Sequence, residues 1–227
     1  MNSLFRRLNE KGGVAVAPSL LSADFSCLER EIRTVEDAGA DFLHLDVMDG
    51  NFVPNITFGP MIVGAIAKIA RIPLITHLMI LHPDRYVEQF VKAGSSAVSF
   101  HWEAGKTASG NIIEKIRSLG CDAGLAINPD TPLSSVEHLL AEIDLLLVMT
   151  VFPGFGGQEL ISAAIDKIGE AARLKKEKGY RFVIEVDGGI KPQNAARARE
   201  QGAQILVAGT AVFKCSDYAG AVASIRG

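Results

Sequence analysis

Two histidines and two aspartates in this chain have the types and positions of a metal centre. His44 and Asp46 are two residues apart in an apolar segment, so both side chains share one face if the segment is a strand. His77 lies in a second apolar segment and Asp187 ends a third. Imidazole and carboxylate groups together bind divalent transition metals, and imidazole favours Zn, Fe, Mn or Co over Mg²⁺. The set predicts one divalent metal ion, although each residue alone could be a core histidine or a loop-capping aspartate.

The same two aspartates could also exchange protons with a substrate. If Asp46 and Asp187 lie on opposite sides of a substrate, one can remove a proton and the other can return one to the opposite face. A metal ion nearby would polarise an adjacent carbonyl and stabilise the enediolate. This combination predicts inversion of a carbon beside a carbonyl, with Asp46 and Asp187 as the catalytic residues.

Three glycine-rich turns indicate a phosphate site. They are PGFGG at 153–157, DGG at 187–189 and GT at 209–210. Glycine allows backbone N–H groups to approach a phosphate closely. Tight loops between strands and helices also need glycine, so each turn alone is weak evidence. Three turns after successive predicted strands favour a phosphorylated ligand.

Alternating apolar runs and amphipathic segments must position these residues. The pattern predicts strands at 14–18, 42–47, 74–79, 97–101, 123–127, 144–151, 182–186 and 204–208. It predicts helices at 27–38, 59–70, 83–93, 111–119, 132–140, 159–178, 193–200 and 217–225. Strict alternation is typical of a parallel sheet covered by helices. Eight units of roughly 28 residues favour one (β/α)8 TIM barrel domain over residues 1–227.

An open doubly wound sheet is the structural alternative, but the residues after the first strand, PSLLS at 18–22, contain no glycine. In a barrel, functional groups lie at the carboxyl ends of the strands. His44, Asp46, His77 and Asp187 all fall there. His101 and Glu103 do too, and we expect them to make structural polar contacts outside the metal set.

Composition restricts the partners. A hydrophobic fraction of 48% excludes disorder, and a formal net charge of -3 predicts no nucleic-acid partner. No run approaches the roughly 18 apolar residues that a membrane span needs, so we expect no membrane association. Residues 14–21 follow basic residues, as in a secretory signal, but fit a buried first strand better. Three separated cysteines, at 27, 121 and 215, fit a reducing compartment, and we expect a cytoplasmic protein.

Several longer motifs are also present. They are APSLLSAD at 17–24, HLDVMDG at 44–50, FVPN at 52–55, HLM at 77–79, NP at 128–129, PGFGGQ at 153–158, EVDGG at 185–189 and VAGT at 207–210. Through these motifs the chain resembles the ribulose-phosphate 3-epimerase family over nearly its whole length. The resemblance implies a barrel of the ribulose-phosphate binding type that interconverts D-ribulose 5-phosphate and D-xylulose 5-phosphate in the pentose phosphate pathway.

The resemblance also implies residue roles. It implies that the metal ligands are His44, Asp46, His77 and Asp187, with Asp46 and Asp187 as acid and base. It implies that the sugar phosphate contacts Ser19, His77, Gly154, Phe155, Gly156, Gly157, Gly188, Gly189, Gly209 and Thr210. Met48, Met79 and Met149 match residues that line the metal pocket, although ordinary packing explains them equally well. We expect the chain to form a homo-oligomer.

Two residues depart from the family pattern. The family usually has Asp where this chain has Ile75, and a polar residue where it has Phe152. Loss of an acidic group beside His77 could weaken metal binding, and both changes affect substrate choice or efficiency more than reaction type. Two alternatives stay open: a D-allulose-6-phosphate 3-epimerase and a non-catalytic sugar-phosphate binding barrel. The complete Gly156-Gly157 and Gly188-Gly189 pairs favour the pentose enzyme.

Overall fold

The computed structural model describes residues 4–227, without the side chains of residues 6, 7 and 11, and residues 1–3 of the predicted domain lie outside it. Its centre is a parallel sheet of eight strands. These are β1 (Ala15–Pro18), β2 (Leu43–Met48), β3 (Leu74–Met79), β4 (Ala97–His101), β5 (Asp122–Ile127), β6 (Leu145–Met149), β7 (Val183–Asp187) and β8 (Ile205–Ala208). The strands follow sequence order from β2 to β8, and β1 pairs with β8. A bridge between Ser19 and His44 joins β1 to β2 and closes the barrel.

Helices follow the strands around this barrel. Within the described residues they are α1 (Arg6–Lys11), α2 (Leu28–Asp37), α3 (Pro60–Ile69), α4 (Pro83–Ala93), α5 (Trp102–Gly105), α6 (Ser109–Ser118), α7 (Ser162–Lys178), α8 (Pro192–Glu200), α9 (Thr210–Phe213) and α10 (Tyr218–Arg226). The predicted (β/α)8 architecture is confirmed. None of the helices in residues 4–227 is long and apolar enough to cross a membrane.

The predicted helix at 132–140 is wrong. The segment forms two single 3-10 turns, Leu133–Ser135 and Glu137–Leu139. Pro132 is extended, and serine residues at 134 and 135 are weak helix formers. The apolar residues Leu133, Val136 and Leu139 recur every three residues, which suits 3-10 geometry, and all three are buried. The predicted helix at 159–178 begins only at Ser162, because Ile161 is extended and its N–H donates to the Thr150 carbonyl at 2.8 Å.

The amino end of the barrel is closed by an apolar layer. The first strand is buried throughout, as predicted, and α1 precedes it. Phe5 is fully buried, and its ring packs edge-on against Phe42 with centroids 5.9 Å apart. Ile75, one of the two departures, belongs to this layer. The four candidate metal ligands lie beyond this layer, toward the carboxyl end of the barrel.

The register of β2 explains how polar groups enter the interior. Leu43, Leu45 and Val47 belong to the core between the sheet and the helices, so the alternate residues His44 and Asp46 point into the barrel. In the parallel ladders, Asp46 pairs with His77 and Met149 pairs with Asp187. Strand pairing thus places these side chains at one end of the barrel.

Candidate metal and substrate site

The four predicted metal ligands converge at the carboxyl end of the barrel. One ligand atom from each of His44, Asp46, His77 and Asp187 lies within 4.8 Å of all the others. Asp46 Oδ1 is 3.3 Å from His44 Nε2 and 3.2 Å from His77 Nδ1. Asp187 Oδ2 is 4.0 Å from His44 Nε2 and 3.9 Å from His77 Nδ1. Both histidines are fully buried, whereas the Asp187 side chain is 17% exposed.

The hydrogen bonds of His44 test whether a cation fits this cluster. His44 Nδ1 is 3.1 Å from Glu185 Oε1, and Glu185 is also fully buried. A carboxylate only accepts hydrogen bonds, so a singly protonated His44 ring carries its proton on Nδ1. Nε2 then presents a lone pair to Asp46 and Asp187, and it is buried without a hydrogen-bond partner in the described residues. A lone pair facing two carboxylates requires a positive charge between them, so the cluster is able to hold a divalent metal ion.

The pKa shift of His44 also indicates that the cluster requires a positive charge. Burial alone would lower the pKa of His44, but the charges of Asp46 and Glu185 raise it well above its ordinary value. Without a metal ion, a proton on His44 Nε2 supplies the positive charge. Metal binding therefore displaces a proton.

The two aspartates have opposite pKa shifts. Burial favours a raised pKa in Asp46, but His44 and His77 outweigh it and lower that pKa below its usual range. Burial, reinforced by the charge of Asp46, raises the pKa of Asp187 to about 8. A cation held between them would lower both values. The two environments thus separate the pKa values of Asp46 and Asp187, so that one carboxyl group can hold a proton while the other is ionised.

Ser19 holds one of the aspartates in place. Its hydroxyl donates to Asp46 Oδ2 at 2.5 Å and accepts from the Leu21 N–H at 3.3 Å. Ser19 is buried at the end of β1, beside His44 in the closing bridge. It therefore fixes the second oxygen of Asp46 while the first faces the histidines.

A cavity opens above the four ligands at the mouth of the barrel. Its wall contains all the residues predicted to contact substrate or line the pocket except His77, which is buried beneath. The predicted residues in the wall are Ser19, Asp46, Met48, Met79, Met149, Gly154, Phe155, Gly156, Gly157, Asp187, Gly188, Gly189, Gly209 and Thr210. Sequence reasoning missed Leu21, Ser22, Val151, Pro153, Gln158, Ile190 and Val207. Residues of these types carry no strong chemical signal in the sequence, and only the fold brings them together.

The glycine turns border one side of the cavity, since they follow the neighbouring strands β6, β7 and β8. Gly188 has φ of 124°, and a Cβ there would lie 2.7 Å from the Val151 backbone nitrogen. A Cβ at Gly189 would lie 2.6 Å from the Leu160 backbone nitrogen. Chain packing alone therefore requires these two glycines. At these two positions the cavity wall is therefore formed by backbone atoms.

His101 and Glu103 make contacts that the sequence did not reveal. His101 Nε2 is 2.9 Å from His77 Nε2, and His101 Nδ1 is 3.2 Å from Glu103 Oε2. Glu185 was equally unassigned, although it is two residues from Asp187 and so shares its face. That spacing was the one available signal for Glu185. The His101 contact depends on the relative placement of β3 and β4, which no local pattern encodes.

Comparison of the chain with known proteins identifies its family. Residues 15–213 match the profile of the Ribulose-phosphate 3 epimerase family. The chain belongs to the ribulose-phosphate 3-epimerase family. The predicted resemblance and the predicted isomerase class are thereby confirmed.

The sequence similarity to individual members of this epimerase family extends over most of each chain. The chain is 49% identical to Ribulose-phosphate 3-epimerase of Bacillus subtilis over 94% of this chain and 99% of the relative. It is 47% identical to the chloroplastic Ribulose-5-phosphate-3-epimerase of Arabidopsis thaliana, over 95% of this chain and 77% of the relative. 3-hexulose-6-phosphate synthase from Salmonella typhimurium shares the fold at 18% identity, with a TM-score of 0.69, over 94% and 97% of the two chains.

Neither departure from the epimerase pattern belongs to the four-ligand cluster, although Ile75 pairs with His44 in the β2–β3 ladder. Ile75 packs in the apolar layer at the amino end, and the His77 ring instead contacts Asp46 and His101. Phe152 is 51% exposed and lies outside the cavity wall, where its carbonyl accepts from Gln158 Nε2 at 2.8 Å. Neither residue removes a group from the cluster.

Proposed function

We propose that the chain interconverts D-ribulose 5-phosphate and D-xylulose 5-phosphate by proton transfer at carbon 3. The observation that carries the proposal is the placement of Asp46 and Asp187 in the wall of one cavity, against two buried histidines. Membership of the ribulose-phosphate 3-epimerase family supports the substrate assignment. We propose that the site belongs to a single barrel domain with the bounds 1–227.

One divalent ion, Zn, Fe, Mn or Co, would be held by His44, Asp46, His77 and Asp187. Two imidazoles and two carboxylates suit these metals better than Mg²⁺. When bound, the ion supplies a Lewis acid for the oxygens of an enediolate. Met48, Met79 and Met149 line the cavity and limit water around the reacting carbon.

The aspartates carry the proton. They project from β2 and β7, which β1 and β8 separate in the sheet, so they reach the substrate from different directions. In one direction of the reaction, ionised Asp46 removes the proton from carbon 3 and leaves an enediolate. Protonated Asp187 then gives its proton to the opposite face of the same carbon. The reverse reaction exchanges the two roles.

The phosphate end of the substrate would bind at the glycine turns. Among the described residues that line the cavity there is no lysine or arginine, so backbone N–H groups and neutral side-chain donors such as the Thr210 hydroxyl would hold the anion. Gly154, Phe155, Gly156 and Gly157 border the cavity after β6, Gly188 and Gly189 after β7, and Gly209 and Thr210 after β8. Ser19 and His77 complete the proposed substrate contacts.

We also propose a cytoplasmic homo-oligomer. The exposed apolar residues Ile56, Leu81 and Tyr86 border one shallow groove beside the barrel mouth, and a second copy could cover them. Light scattering coupled to gel filtration measures the assembly, and a monomer at micromolar concentration would contradict this part of the proposal.

Turnover of two substrates tests the proposed reaction. The purified protein, loaded with each of the four metals in turn, receives D-ribulose 5-phosphate or D-allulose 6-phosphate. We expect kcat/KM for the pentose phosphate to exceed that for the hexose phosphate by about tenfold or more, and to be lost on chelation. Faster turnover of the hexose phosphate would favour the other epimerase, and no turnover of either would favour a binding protein.

A further inference from the structure

A line of buried hydrogen bonds runs from the cluster into the barrel wall. It begins at His77, whose Nδ1 faces Asp46 and whose Nε2 is 2.9 Å from His101 Nε2. It continues from His101 Nδ1 to Glu103 Oε2 at 3.2 Å. Both rings are fully buried, with centroids 4.9 Å apart, and the Phe52 ring packs against His101 with centroids 4.8 Å apart. None of these groups beyond His77 has a part in the proposed reaction.

Glu103 fixes the end of this line. Its Oε1 accepts from the Asn128 N–H at 2.9 Å and from the Thr131 hydroxyl. Although burial favours the neutral acid, the bonds from His101, Thr131 and Asn128 lower the pKa of Glu103 to about 2. Lys167 Nζ holds the same loop through the carbonyls of Asn128, Pro129 and Thr131. Glu103 is therefore an ionised acceptor in a rigid setting.

An acceptor at one end determines every proton along the line when both imidazole rings are neutral. Because Glu103 only accepts, His101 Nδ1 donates, and in a neutral ring His101 Nε2 must then accept. His77 Nε2 donates to it, which leaves His77 Nδ1 unprotonated. The competing tautomer, with Nδ1 donating to Asp46, would leave both facing ring nitrogens as acceptors and break the bond to His101.

We propose that His101 and Glu103 are positioning residues, which hold the His77 ring and the tautomer whose Nδ1 lone pair faces the metal cluster. This inference rests on the metal site of the proposed function. His44 obtains the same orientation directly, from Glu185. The orientation of His77 is set by Glu103 through one additional imidazole, that of His101. The apolar Ile75 has no part in this orientation.

The substitution Glu103→Gln tests the direction of the line. The Asn128 N–H and the Thr131 hydroxyl keep the amide oxygen, so the amide N–H₂ must face His101 Nδ1. His101 then accepts at Nδ1 and donates at Nε2, and the proton on His77 moves to Nδ1, where it competes with metal. We expect Co²⁺ affinity, measured by competition with a chromophoric chelator, to fall about 10–100-fold. The visible spectrum of bound Co²⁺ should also change.

The matched control is Glu31→Gln. Glu31 is another largely buried glutamate, which accepts hydrogen bonds from the Tyr218 hydroxyl and the Asp24 N–H, but it lies on α2 away from the cluster. We expect the control to keep the wild-type Co²⁺ affinity and spectrum. The melting temperature of the metal-free forms separates a general loss of stability from loss of the lone pair.

A second pair of variants tests His101 itself. In His101→Gln the side-chain oxygen can still accept from His77 Nε2, whereas His101→Phe keeps the bulk and offers no acceptor. We therefore expect His101→Gln to bind Co²⁺ more tightly than His101→Phe. Equal affinities in these two variants would overturn the assigned proton positions.

Further outcomes would overturn the inference. A Glu103→Gln variant with the wild-type Co²⁺ affinity and spectrum would overturn it. So would a variant whose affinity falls only in proportion to a lower metal-free melting temperature while its Co²⁺ spectrum stays unchanged. Failure of the wild-type protein to bind Co²⁺ would contradict the proposed function itself, and the positioning roles with it. The wild-type measurement therefore distinguishes the two failures.

Discussion

Asp46 and Asp187 are the same residue type in two environments. Asp46 accepts from Ser19 and faces two imidazoles, whereas Asp187 lies near the charge of Asp46 and has only distant contacts with the histidines. Their pKa values consequently move in opposite directions. A pair of groups separated in this way can serve as acid and base in one site.

Metal binding should depend on pH in a direction that these shifts define. With a pKa of about 8, Asp187 holds a proton at neutral pH in the metal-free protein, and the raised pKa of His44 has the same effect. A metal ion must displace these protons, so affinity for Co²⁺ should rise between about pH 6 and pH 8 and then level off. Calorimetry in buffers of different ionisation enthalpy should show proton release at pH 7. An affinity that is constant or falls over this range would contradict the assignment.

The substitution Asp187→Asn removes one proton carrier. We expect turnover at saturating Co²⁺ to fall by about 10²–10⁴-fold in both directions, because each direction uses both aspartates. Asp166→Asn is the control, since the Asp166 side chain on α7 is 78% exposed. Initial rates with each pentose phosphate measure the effect, and near-normal turnover would refute the two-base mechanism.

At the scale of elements, sequence periodicity was informative for strands and long helices. The alternate residues of β2 pack outward, and that rule alone predicts that His44 and Asp46 point inward. It failed at 132–140, where an apolar repeat of three residues was read as one face of an α-helix. It also missed α1, α5 and α9, which are too short for a periodic signal. The contacts from His101 to His77 and from Glu185 to His44 required strand register and ring orientation, which spacing does not contain.

The turn after β7 offers a test of the glycine assignment. Gly188→Ala adds a Cβ 2.7 Å from the Val151 nitrogen in a backbone of positive φ, and we expect it to cost about 1–3 kcal/mol of unfolding free energy. Gly64→Ala, within α3, adds a Cβ at ordinary distances of 3.8 Å or more, and should stabilise the protein by about 0.5–1 kcal/mol. Urea unfolding measures both. Equal stabilities for the two variants would show that the turn tolerates side chains.

At the scale of the whole molecule, the two ends of the barrel have different tasks. The amino end is an apolar layer that includes Phe5, Phe42 and Ile75, and it supports stability. The carboxyl end contains the buried polar cluster and the glycine turns. This division explains why a net charge of -3 is compatible with the proposed anionic substrate: in the proposed site the charge that matters would be local, in backbone amides and a metal ion.

The central claim is that the whole site moves a proton at carbon 3. The direct measurement is NMR of D-ribulose 5-phosphate incubated with the metal-loaded protein in heavy water. We expect deuterium at carbon 3 of the D-xylulose 5-phosphate formed, because the second aspartate exchanges its proton with solvent, and no exchange after chelation. Product that retains the original hydrogen at carbon 3, or exchange confined to another carbon, would contradict the account.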